Sequence, residues 1–329
     1  MHRFRLEFPK DVAAATSLLP SHRGPLTPRD ARVLAGGQDL LGELKDHLVE
    51  PDTLVSLHRI PGLDGFELGE DLRLGALVTL AVIERDTALR ERFTVLAEAA
   101  ESVATPQIRT QATLGGNLCQ RPRCWYYRNE EAPCIKKGGA ECFAFGGRNK
   151  YNAILGGGPS YIVHPSDLAP ALVCLDATVT KTAREGTETI ALESFFTLPS
   201  EGSVQRENVL RANELLLGVH VPALGPGWKS TYLKFRERES FDFALAAVAL
   251  AVRLDGERIA EAKLVLGGVA PIPWRARAAE DFVAGKPNTR STWKAAADLA
   301  LAGAEPLEHN AYKIPLTKGL IQKAFRKLA

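Results

Sequence analysis

A long internal stretch from Thr105 to Pro165 most constrains how this chain can fold, because it lacks the periodic patterns of the sequence around it. It is rich in glycine, aromatic and basic residues. It also contains four of the five cysteines, namely Cys119, Cys124, Cys134 and Cys142. Long segments without regular structure inside a compact protein are usually functional. Any fold for this chain must therefore accommodate a large functional segment between regular elements.

The sequence on both sides of this stretch alternates between strand and helix patterns. Before it, strands are predicted at residues 4–8, 32–35, 53–57 and 72–76, and helices at residues 9–19, 39–48 and 93–103. After it, helices are predicted at residues 167–176, 274–283 and 292–302, and strands at residues 215–222, 230–235 and 260–267. The first elements predict a βαβ-like unit with a glycine turn at its strand-to-helix step.

The composition excludes several classes of protein. With 41 basic and 39 acidic residues in 329, the formal net charge of +2 gives no electrostatic footprint for nucleic acid or an anionic membrane. No apolar run reaches the roughly 18 residues of a membrane span, and the first residues form no apolar signal region. We therefore predict a soluble, cytoplasmic protein of about two domains. Export together with a partner protein remains open.

Two glycine pairs are suited to receive a phosphate group. One lies between Val33 and Leu40, and the other between Thr113 and Asn117. Paired glycines let the backbone approach a ligand closely, and a helix that begins beside them adds the positive end of its dipole. Neither segment fits the GxGxxG fingerprint or the phosphate-loop pattern. The pairs can grip the two phosphates of a dinucleotide from opposite sides, or they can be ordinary tight turns.

The four clustered cysteines follow the spacing Cys-x4-Cys-x9-Cys-x7-Cys, which lacks the paired CxxC motifs of most zinc sites. Zinc is therefore possible but not favoured. Four irregularly spaced thiols suit an iron–sulfur cluster held by a loop. Unligated, buried cysteines are the alternative. Cys174 stands alone in an apolar run and is predicted to be a core residue.

The residues around these cysteines are also suited to a cluster. Basic side chains outnumber acidic ones by seven to three, which would offset the negative charge of a thiolate-ligated cluster. The basic residues are Arg121, Arg123, Arg128, Lys136, Lys137, Arg148 and Lys150. Aromatic side chains are predicted to shield the cluster from water. They are Trp125, Tyr126, Tyr127, Phe143 and Phe145.

Several segments occur together in an order that resembles one known family. They are residues 34–40, residues 107–117 and the His-Pro-Ser-Asp-Leu segment at residues 164–168. Residues 215–222, 232–235 and 266–273 extend the likeness over nearly the whole chain. The combination resembles the FAD-binding medium subunits of the molybdenum hydroxylases. That family includes xanthine dehydrogenase, carbon monoxide dehydrogenase, bacterial aldehyde oxidoreductases and 4-hydroxybenzoyl-CoA reductase.

The resemblance implies which residues bind FAD. The first loop around the pyrophosphate matches Val33, Leu34, Ala35, Gly36, Gly37, Gln38, Asp39 and Leu40. The second loop matches Ala112, Thr113, Gly115, Gly116 and Asn117. Asp167 matches an acidic residue near the ribose and adenine side, and Leu216 and Lys234 match positions beside the flavin. An ammonium group there would stabilise negative charge on the reduced ring.

Within this family, the cysteine segment resembles an insertion that holds a [4Fe–4S] cluster in the flavin subunits of aldehyde oxidoreductase and 4-hydroxybenzoyl-CoA reductase. Cys124, Cys134 and Cys142 match three of its ligands. The aldehyde oxidoreductase pattern has a further cysteine just before the His-Pro-Ser-Asp segment, where this chain has Ser160. Cys119 is the candidate for the fourth ligand, Ser160 is the alternative, and an incomplete cluster is the third possibility.

The resemblance also implies an α+β fold with two domains. A two-lobed FAD-binding domain of the PCMH or vanillyl-alcohol-oxidase type would span residues 1–224. Its lobes would lie at about residues 1–57 and 58–224, with the iron–sulfur insertion at about residues 118–160. A smaller α/β C-terminal domain of the carbon monoxide dehydrogenase flavoprotein type would span residues 225–329.

The function implied is electron relay, with no catalytic residue in this chain. An aldehyde or an aromatic or heterocyclic substrate would be oxidised in a large molybdopterin-binding partner, within a heterotrimer or its dimer. Electrons would pass through [2Fe–2S] clusters of a small partner to FAD, and the [4Fe–4S] cluster would link FAD to an external acceptor such as a ferredoxin. The basic loop around the cluster is predicted to be a docking face for an acidic acceptor, and removing the charges of Lys136 and Lys137 is expected to weaken the electron transfer.

Two other interpretations remain open at this point. One is a stand-alone FAD-dependent oxidoreductase of the same fold, and the other is a zinc-stapled interaction module without flavin. An absorption spectrum distinguishes the three interpretations. The relay subunit would show both flavin and cluster absorption, the stand-alone oxidoreductase would show flavin absorption only, and the zinc module would show neither.

Overall fold

The computed structural model describes the whole chain, residues 1–329, and contains three β-sheets. The first sheet is formed by β1 (Arg5–Glu7), β2 (Arg32–Leu34) and β3 (Thr53–Ser56). Its strands are parallel in the order β1-β3-β2, and they are connected through the short helices α1 (Val12–Ser17) and α2 (Leu40–Lys45). The predicted βαβ-like unit is therefore present, and the first glycine turn lies where β2 leads into α2.

The second sheet has five antiparallel strands in the order β4-β5-β8-β6-β7. They are β4 (Phe66–Leu68), β5 (Leu72–Gly75), β6 (Thr178–Ala183), β7 (Gly186–Ala191) and β8 (Leu215–Val221). Helices α3 (Leu80–Arg85), α4 (Thr87–Arg92) and α5 (Thr94–Glu101) follow β5. Between them and β6 lie only short helices, α6 (Pro106–Arg109), α7 (Leu114–Leu118) and α8 (Trp125–Arg128), and then α9 (Leu168–Cys174). The long stretch without periodicity thus forms no strand.

The third sheet is antiparallel and has the order β12-β11-β10-β9. Its strands are β9 (Trp228–Phe235), β10 (Ala246–Asp255), β11 (Arg258–Gly267) and β12 (Trp274–Arg275). The chain ends with helices α10 (Arg277–Val283), α11 (Arg290–Ala300) and α12 (Lys313–Leu328). The single helix predicted at residues 274–283 is wrong at its start. Trp274 pairs with Leu266 in the sheet, and the helix begins only at Arg277.

Strand β10 joins the two largest cores, because both of its faces are buried. Val248 and Leu250 pack in the core that includes α10, α11 and α12, whereas Ala247 and Ala249 pack in the core that includes α5 and α9. Side chains of a strand alternate between its faces, so each core receives every second residue. Because alanine side chains are small, α5 and α9 can pack closely against this face of β10. This packing holds the third sheet against the part of the chain that contains the second sheet.

Each sheet lies inside one of the three predicted segments, residues 1–57, 58–224 and 225–329. We keep those bounds as a proposal for the lobes and domains. The mixture of helices with parallel and antiparallel sheets agrees with the predicted α+β class. None of the helices is long and apolar enough to cross a membrane.

Candidate cofactor site

The first glycine turn faces the second at very short range. A Cβ atom placed on Gly36 would lie 1.9 Å from the backbone oxygen of Gln111, so only glycine allows this approach. Gly37 has a φ of 73°, in the left-handed region that favours glycine. The two turns that the sequence places far apart are therefore two sides of one site.

The second turn opens helix α7. Thr113 caps this helix, because its Oγ1 accepts a hydrogen bond from the amide of Gly116 at 3.2 Å. Gly115 packs closely against Ala76, the residue after β5, where an added Cβ would meet the Ala76 side chain and backbone oxygen at 3.0 Å. The amides at the start of α7 are thereby held beside the first turn. The amides of Leu114, Gly115, Gly116 and Asn117 all donate within the chain, whereas those of Gly36, Gly37 and Gln38 in the first turn do not and are suited to an anionic ligand.

A cavity of about 770 Å³ lies between the two turns. Every predicted FAD-binding residue except Leu34 lines it. Leu34 points the other way and packs with the small core of Leu44, Val49 and Leu54. This follows from the two-residue period of a strand, since Val33 and Ala35 on either side face the cavity. The predicted role of Leu34 beside the cofactor therefore stays a prediction, and in this structure its side chain packs against that small core.

One end of the cavity contains a buried ion pair. The Nζ of Lys234 lies 2.7 Å from the Oδ2 of Asp167 and donates a second hydrogen bond to the backbone oxygen of Ser102 at 3.1 Å. The hydroxyl of Tyr232 donates to the other carboxylate oxygen of Asp167 at 2.7 Å. Burial, together with the charge of Asp167, holds the pKa of Tyr232 well above its usual value, so the hydroxyl remains a donor.

This ion pair joins two residues that the resemblance assigns to the cofactor. The resemblance places Asp167 toward the ribose and adenine and Lys234 beside the flavin, and these roles stay predictions; in the structure the two side chains are in direct contact. The residue before Asp167, Ser166, is hydrogen-bonded to the second turn. There, the hydroxyl of Ser166 donates to the Oδ1 of Asn117 at 2.5 Å. The ion pair, Asn117 and the second turn are thus parts of one connected wall.

Asp39 connects the first turn to the cysteine segment. Its Oδ1 lies 2.6 Å from guanidinium nitrogens of both Arg123 and Arg128, and its Oδ2 accepts from the amide of Arg121 at 2.6 Å. Although Asp39 lines the cavity, its carboxylate is saturated by residues 121–128. A carboxylate with three charge-assisted or backbone donors is firmly positioned. We therefore assign Asp39 a positioning role between the two segments.

Sequence reasoning missed two further interactions at this site. Arg109 forms a buried, bidentate pair with Glu84, with N···O distances of 2.7 and 2.8 Å, and so fixes the segment before the second turn. Glu207 pairs with Lys136, and its Oε2 also lies 2.9 Å from Arg121. Arg109 lies within residues 107–117, one of the segments that carry the family resemblance, so a structural role for it could have been predicted from the sequence. Glu207 is remote in sequence from both of its partners and gives no local pattern.

The pairing of Lys136 removes one residue from the predicted docking face. Lys136 is buried, with only 3% of its surface exposed, and is paired with Glu207. Lys136 therefore cannot meet a partner, although Lys137 remains half-exposed. The predicted aromatic shield is also wrong in part, because Trp125 and Phe145 are 55% and 63% exposed. The cysteine segment exposes aromatic side chains to solvent, and several of its basic side chains are paired with acidic side chains inside the protein.

The cysteines divide into two groups. Cys119 lines the cavity between the glycine turns, where burial, with a contribution from Glu207, raises the pKa of its thiol to about 12. Cys124 lies elsewhere, beside a second cavity of about 400 Å³, and burial raises the pKa of its thiol as well. All five cysteines are free, and Cys174 is buried in the core as predicted. No group of three or more histidine, cysteine, aspartate or glutamate side chains is arranged to hold a metal ion.

Comparison with known sequence families identifies the class of protein. The family described as "FAD binding domain in molybdopterin dehydrogenase" matches residues 2–224. The family described as "CO dehydrogenase flavoprotein C-terminal domain" matches residues 230–328. The chain therefore belongs to the FAD-binding subunits of the molybdenum hydroxylases, in the xanthine dehydrogenase family of oxidoreductases, and the predicted family is confirmed.

Individual relatives agree with this assignment. The chain is 34% identical over 319 residues to the FAD-binding subunit of aldehyde oxidoreductase from Escherichia coli, covering 95% of this chain and 93% of the relative. It is 29% identical over 310 residues to the medium chain of carbon monoxide dehydrogenase from Hydrogenophaga pseudoflava, covering 93% of this chain and 88% of that one.

A solved structure has the same fold. A chain of carbon monoxide dehydrogenase from Hydrogenophaga pseudoflava, in a form that lacks the Mo-pyranopterin moiety, superimposes with a TM-score of 0.76 at 26% identity. The match covers 98% of this chain and 96% of that one. The predicted fold, an FAD-binding domain followed by a flavoprotein C-terminal domain, is confirmed. The cavity between the glycine turns is accordingly the candidate site for FAD.

Proposed function

We propose that this chain is the electron-relay subunit of a heteromeric molybdenum hydroxylase and that it carries both FAD and a [4Fe–4S] cluster. The substrate is oxidised in a large molybdopterin-binding partner, and electrons reach this chain through [2Fe–2S] clusters of a small partner. The identity of 34% to an aldehyde oxidoreductase subunit supports an aldehyde as substrate, ahead of an aromatic or heterocyclic compound. The partners form a heterotrimer or its dimer with this chain.

The observation that carries the proposal is the meeting of the two glycine turns across one cavity. Gly36 lies against Gln111 at a distance that excludes any side chain, and the amides of Gly36, Gly37 and Gln38 in the first turn have no acceptor within the chain. A dinucleotide has two linked phosphates, and the free backbone donors of a glycine turn suit such a group. The cavity of about 770 Å³ is within the range of pockets that enclose small-molecule ligands.

The ion pair of Lys234 and Asp167 lies at the end of the cavity proposed for the flavin ring. When bound, FAD supplies redox chemistry that connects one-electron and two-electron carriers. Lys234 brings a positive charge to this end, and Asp167, Tyr232 and the Ser102 carbonyl hold its position. Leu216, which is 6% exposed, supplies an apolar wall that excludes water. Asp167 balances the charge of Lys234, but the ammonium group uses only two of its three N–H donors in these contacts, so one donor remains for a neighbouring group.

The donor chemistry of the cysteine segment fits an iron–sulfur cluster. Cys124, Cys134 and Cys142 are free thiols, and such thiols are the usual ligands of these clusters. The hydroxyl of Ser160 is fully buried, and its oxygen has no hydrogen-bond partner. An orphaned polar atom of this kind suggests that a further group belongs beside it. Cys124, Cys134 and Cys142 would hold the cluster, with a fourth ligand from this chain.

We propose that the cluster passes electrons to an external acceptor, with a ferredoxin-like protein as the favoured class. Trp125 and Phe145 support this view, because both are exposed on the segment that would hold the cluster. Lys136 takes no part in docking, since it is buried and paired with Glu207.

The test is an anaerobic preparation of the full chain, with iron, acid-labile sulfide and FAD measured in the same sample. We expect about four iron atoms per FAD, as a [4Fe–4S] cluster requires. The same sample is then mixed with aldehydes, and the flavin absorption band is followed. The band should bleach only after the molybdenum-containing and [2Fe–2S]-containing partners are added.

Each alternative gives a different result in this experiment. FAD without iron would show a flavoprotein with no cluster, and bleaching by substrate without partners would show a stand-alone oxidoreductase. Zinc without flavin would show a stapled interaction module. Any of these three results would overturn the proposed relay.

A further inference from the structure

We infer that protons reach the proposed flavin site from the second cavity, along a hydrogen-bonded chain formed by Tyr232, Asp167 and Lys234. This inference rests on the proposed function, because it requires FAD in the first cavity, between the glycine turns, with its ring at the Lys234 end. The second cavity, of about 400 Å³, is then the port through which protons enter.

The three side chains cross the wall between the two cavities. Lys234 lines only the first cavity, Tyr232 lines only the second, and Asp167 lines both. The Nζ of Lys234 lies 2.7 Å from the Oδ2 of Asp167, and the hydroxyl of Tyr232 donates to the Oδ1 at 2.7 Å. Both distances are those of well-formed hydrogen bonds. The chain therefore connects one cavity to the other without a gap.

Strand β9 places two members of this chain side by side. Tyr232 and Lys234 are two residues apart, so their side chains lie on the same face of the strand and both reach Asp167. The Oε2 of Glu98 in α5 accepts from the amide of Tyr232 and from the hydroxyl of Thr231, both at 2.7 Å. These contacts hold Tyr232 in place independently of its own hydroxyl group.

The second cavity is suited to hold water. It reaches the protein surface, because Trp125 and Tyr151 in its wall are 55% and 37% exposed. The charged side chains of Arg148, Glu237 and Arg238 also line it. A cavity with polar walls and enough room takes up water molecules. Proton-carrying solvent therefore comes up to the wall that contains Tyr232.

The proposed electron relay creates a need for such a path. Iron–sulfur clusters deliver electrons only, whereas a reduced flavin ring also takes up a proton. The Lys234 end of the first cavity is shielded, since the Lys234 side chain is 4% exposed and Leu216 is 6% exposed. Lys234 uses two N–H groups on Asp167 and the Ser102 carbonyl, which leaves the third for the ring.

Each transfer moves one proton and no electrons. Lys234 gives a proton from its Nζ to the reduced ring, while Tyr232 gives its hydroxyl proton to the Oδ1 of Asp167 and takes another from solvent. Rotation of the carboxyl group then returns a proton to the Nζ of Lys234. All three residues end in their starting protonation states. Burial and the charge of Asp167 hold the pKa of Tyr232 well above its usual value, so the hydroxyl must regain a proton as it donates one.

The experiment measures proton uptake by the full chain loaded with FAD, after rapid reduction by a light-activated reductant. A pH-indicator dye in weakly buffered solution reports the proton, and the flavin band reports the electrons. Tyr232→Phe should slow the uptake by about 100-fold, a typical contribution of a positioned proton-transfer group, while FAD affinity stays unchanged. Tyr151→Phe is the matched control, because Tyr151 lines the same cavity and donates to the carboxylate of Glu237 at 3.0 Å, outside the chain. It should keep the wild-type rate.

A second measurement needs no variant. Since Tyr232 gives one proton as it takes another, uptake by the wild type should be slower in heavy water. Equal rates in the two solvents, or a wild-type rate in Tyr232→Phe, would overturn the proton path and leave the proposed function standing. Slow uptake with weakened FAD binding, or an equal loss of rate in Tyr151→Phe, would also overturn it. A wild-type chain that binds no FAD would overturn both.

Discussion

The ammonium group of Lys234 and the carboxylate of Asp167 form an ion pair of 2.7 Å, in which the two side chains are only 4% and 5% exposed. Lys234 lies on β9 of the third sheet, and Asp167 directly precedes α9. The pair therefore connects the C-terminal part of the chain to the segment that borders the second glycine turn. Its charges lie where both parts of the chain meet the cofactor cavity.

Replacing Lys234 with Met should strongly destabilise the chain. The substitution leaves the Asp167 carboxylate buried without its cation, and breaking such a pair from one side costs about 3–5 kcal/mol. Lys327→Met is the matched control, because Lys327 pairs with Glu98 while 45% exposed and should cost at most about 1 kcal/mol. Urea unfolding of the FAD-free chain measures both changes. Equal decreases in the free energy of unfolding for the two variants would show that burial does not make the Lys234–Asp167 pair more important than an exposed pair.

Replacing Gly36 with Ala should abolish FAD binding. The added Cβ would lie 1.9 Å from the Gln111 oxygen, so the two turns must separate and the cavity between them can no longer keep its shape. Gly303→Ala is the control, because no atom lies within 4 Å of the position that its added Cβ would take and its φ is ordinary. Fluorescence titration with FAD measures the affinity. Unchanged FAD affinity in Gly36→Ala would show that the turns do not hold the cofactor together.

The glycine turns were predictable from sequence because the requirement for them is local. A backbone that must approach another chain segment closely needs glycine at a fixed position, and Gly36 and Gly115 meet that need. Strand β10 was not predicted. Both of its faces are buried, so apolar and polar residues do not alternate, and its alanines are more typical of helices.

The side-chain partners were much harder to predict than the backbone turns. Asp39 was matched to the FAD loop, yet its carboxylate is directed at Arg123 and Arg128, more than 80 residues away in sequence. Glu207 meets Lys136 across a similar gap. Such pairs depend on tertiary packing and leave no periodic pattern. Leu34 is different, since the strand period alone would have placed it away from the cavity.

Replacing Asp39 with Ala should loosen the cysteine segment. Three donors from residues 121–128 lose their shared acceptor, and charge-assisted hydrogen bonds to one carboxylate contribute about 1.5–3 kcal/mol each. Hydrogen exchange should therefore become faster in residues 121–128. Asp86→Ala is the control, because it removes a helix-capping aspartate from α4, outside the site. Exchange in residues 121–128 that matches the wild type would show that Asp39 does not position them.

Lys313, the first residue of α12, should make stability depend on pH. It is completely buried, and its Nζ donates only to the backbone oxygens of Tyr151 and Gly268, at 3.0 and 2.7 Å. Burial lowers the pKa of Lys313 from 10.5 to about 7. Between pH 7 and 10.5 the unfolded chain therefore binds a proton that the folded chain does not. Stability consequently rises with pH across this window, and the cost of burying the charge is fully present below it.

The comparison of the wild-type chain with Lys313→Met isolates this contribution, because groups common to both proteins cancel. Moving from pH 7 to pH 9 should stabilise the wild type relative to the variant, since the neutral amine still has donors for both carbonyls. His164, whose pKa burial lowers to about 4, has finished titrating below this window. Urea midpoints at the two pH values measure the effect. A difference between the two proteins that does not change with pH would show that Lys313 keeps its ordinary pKa in the folded chain.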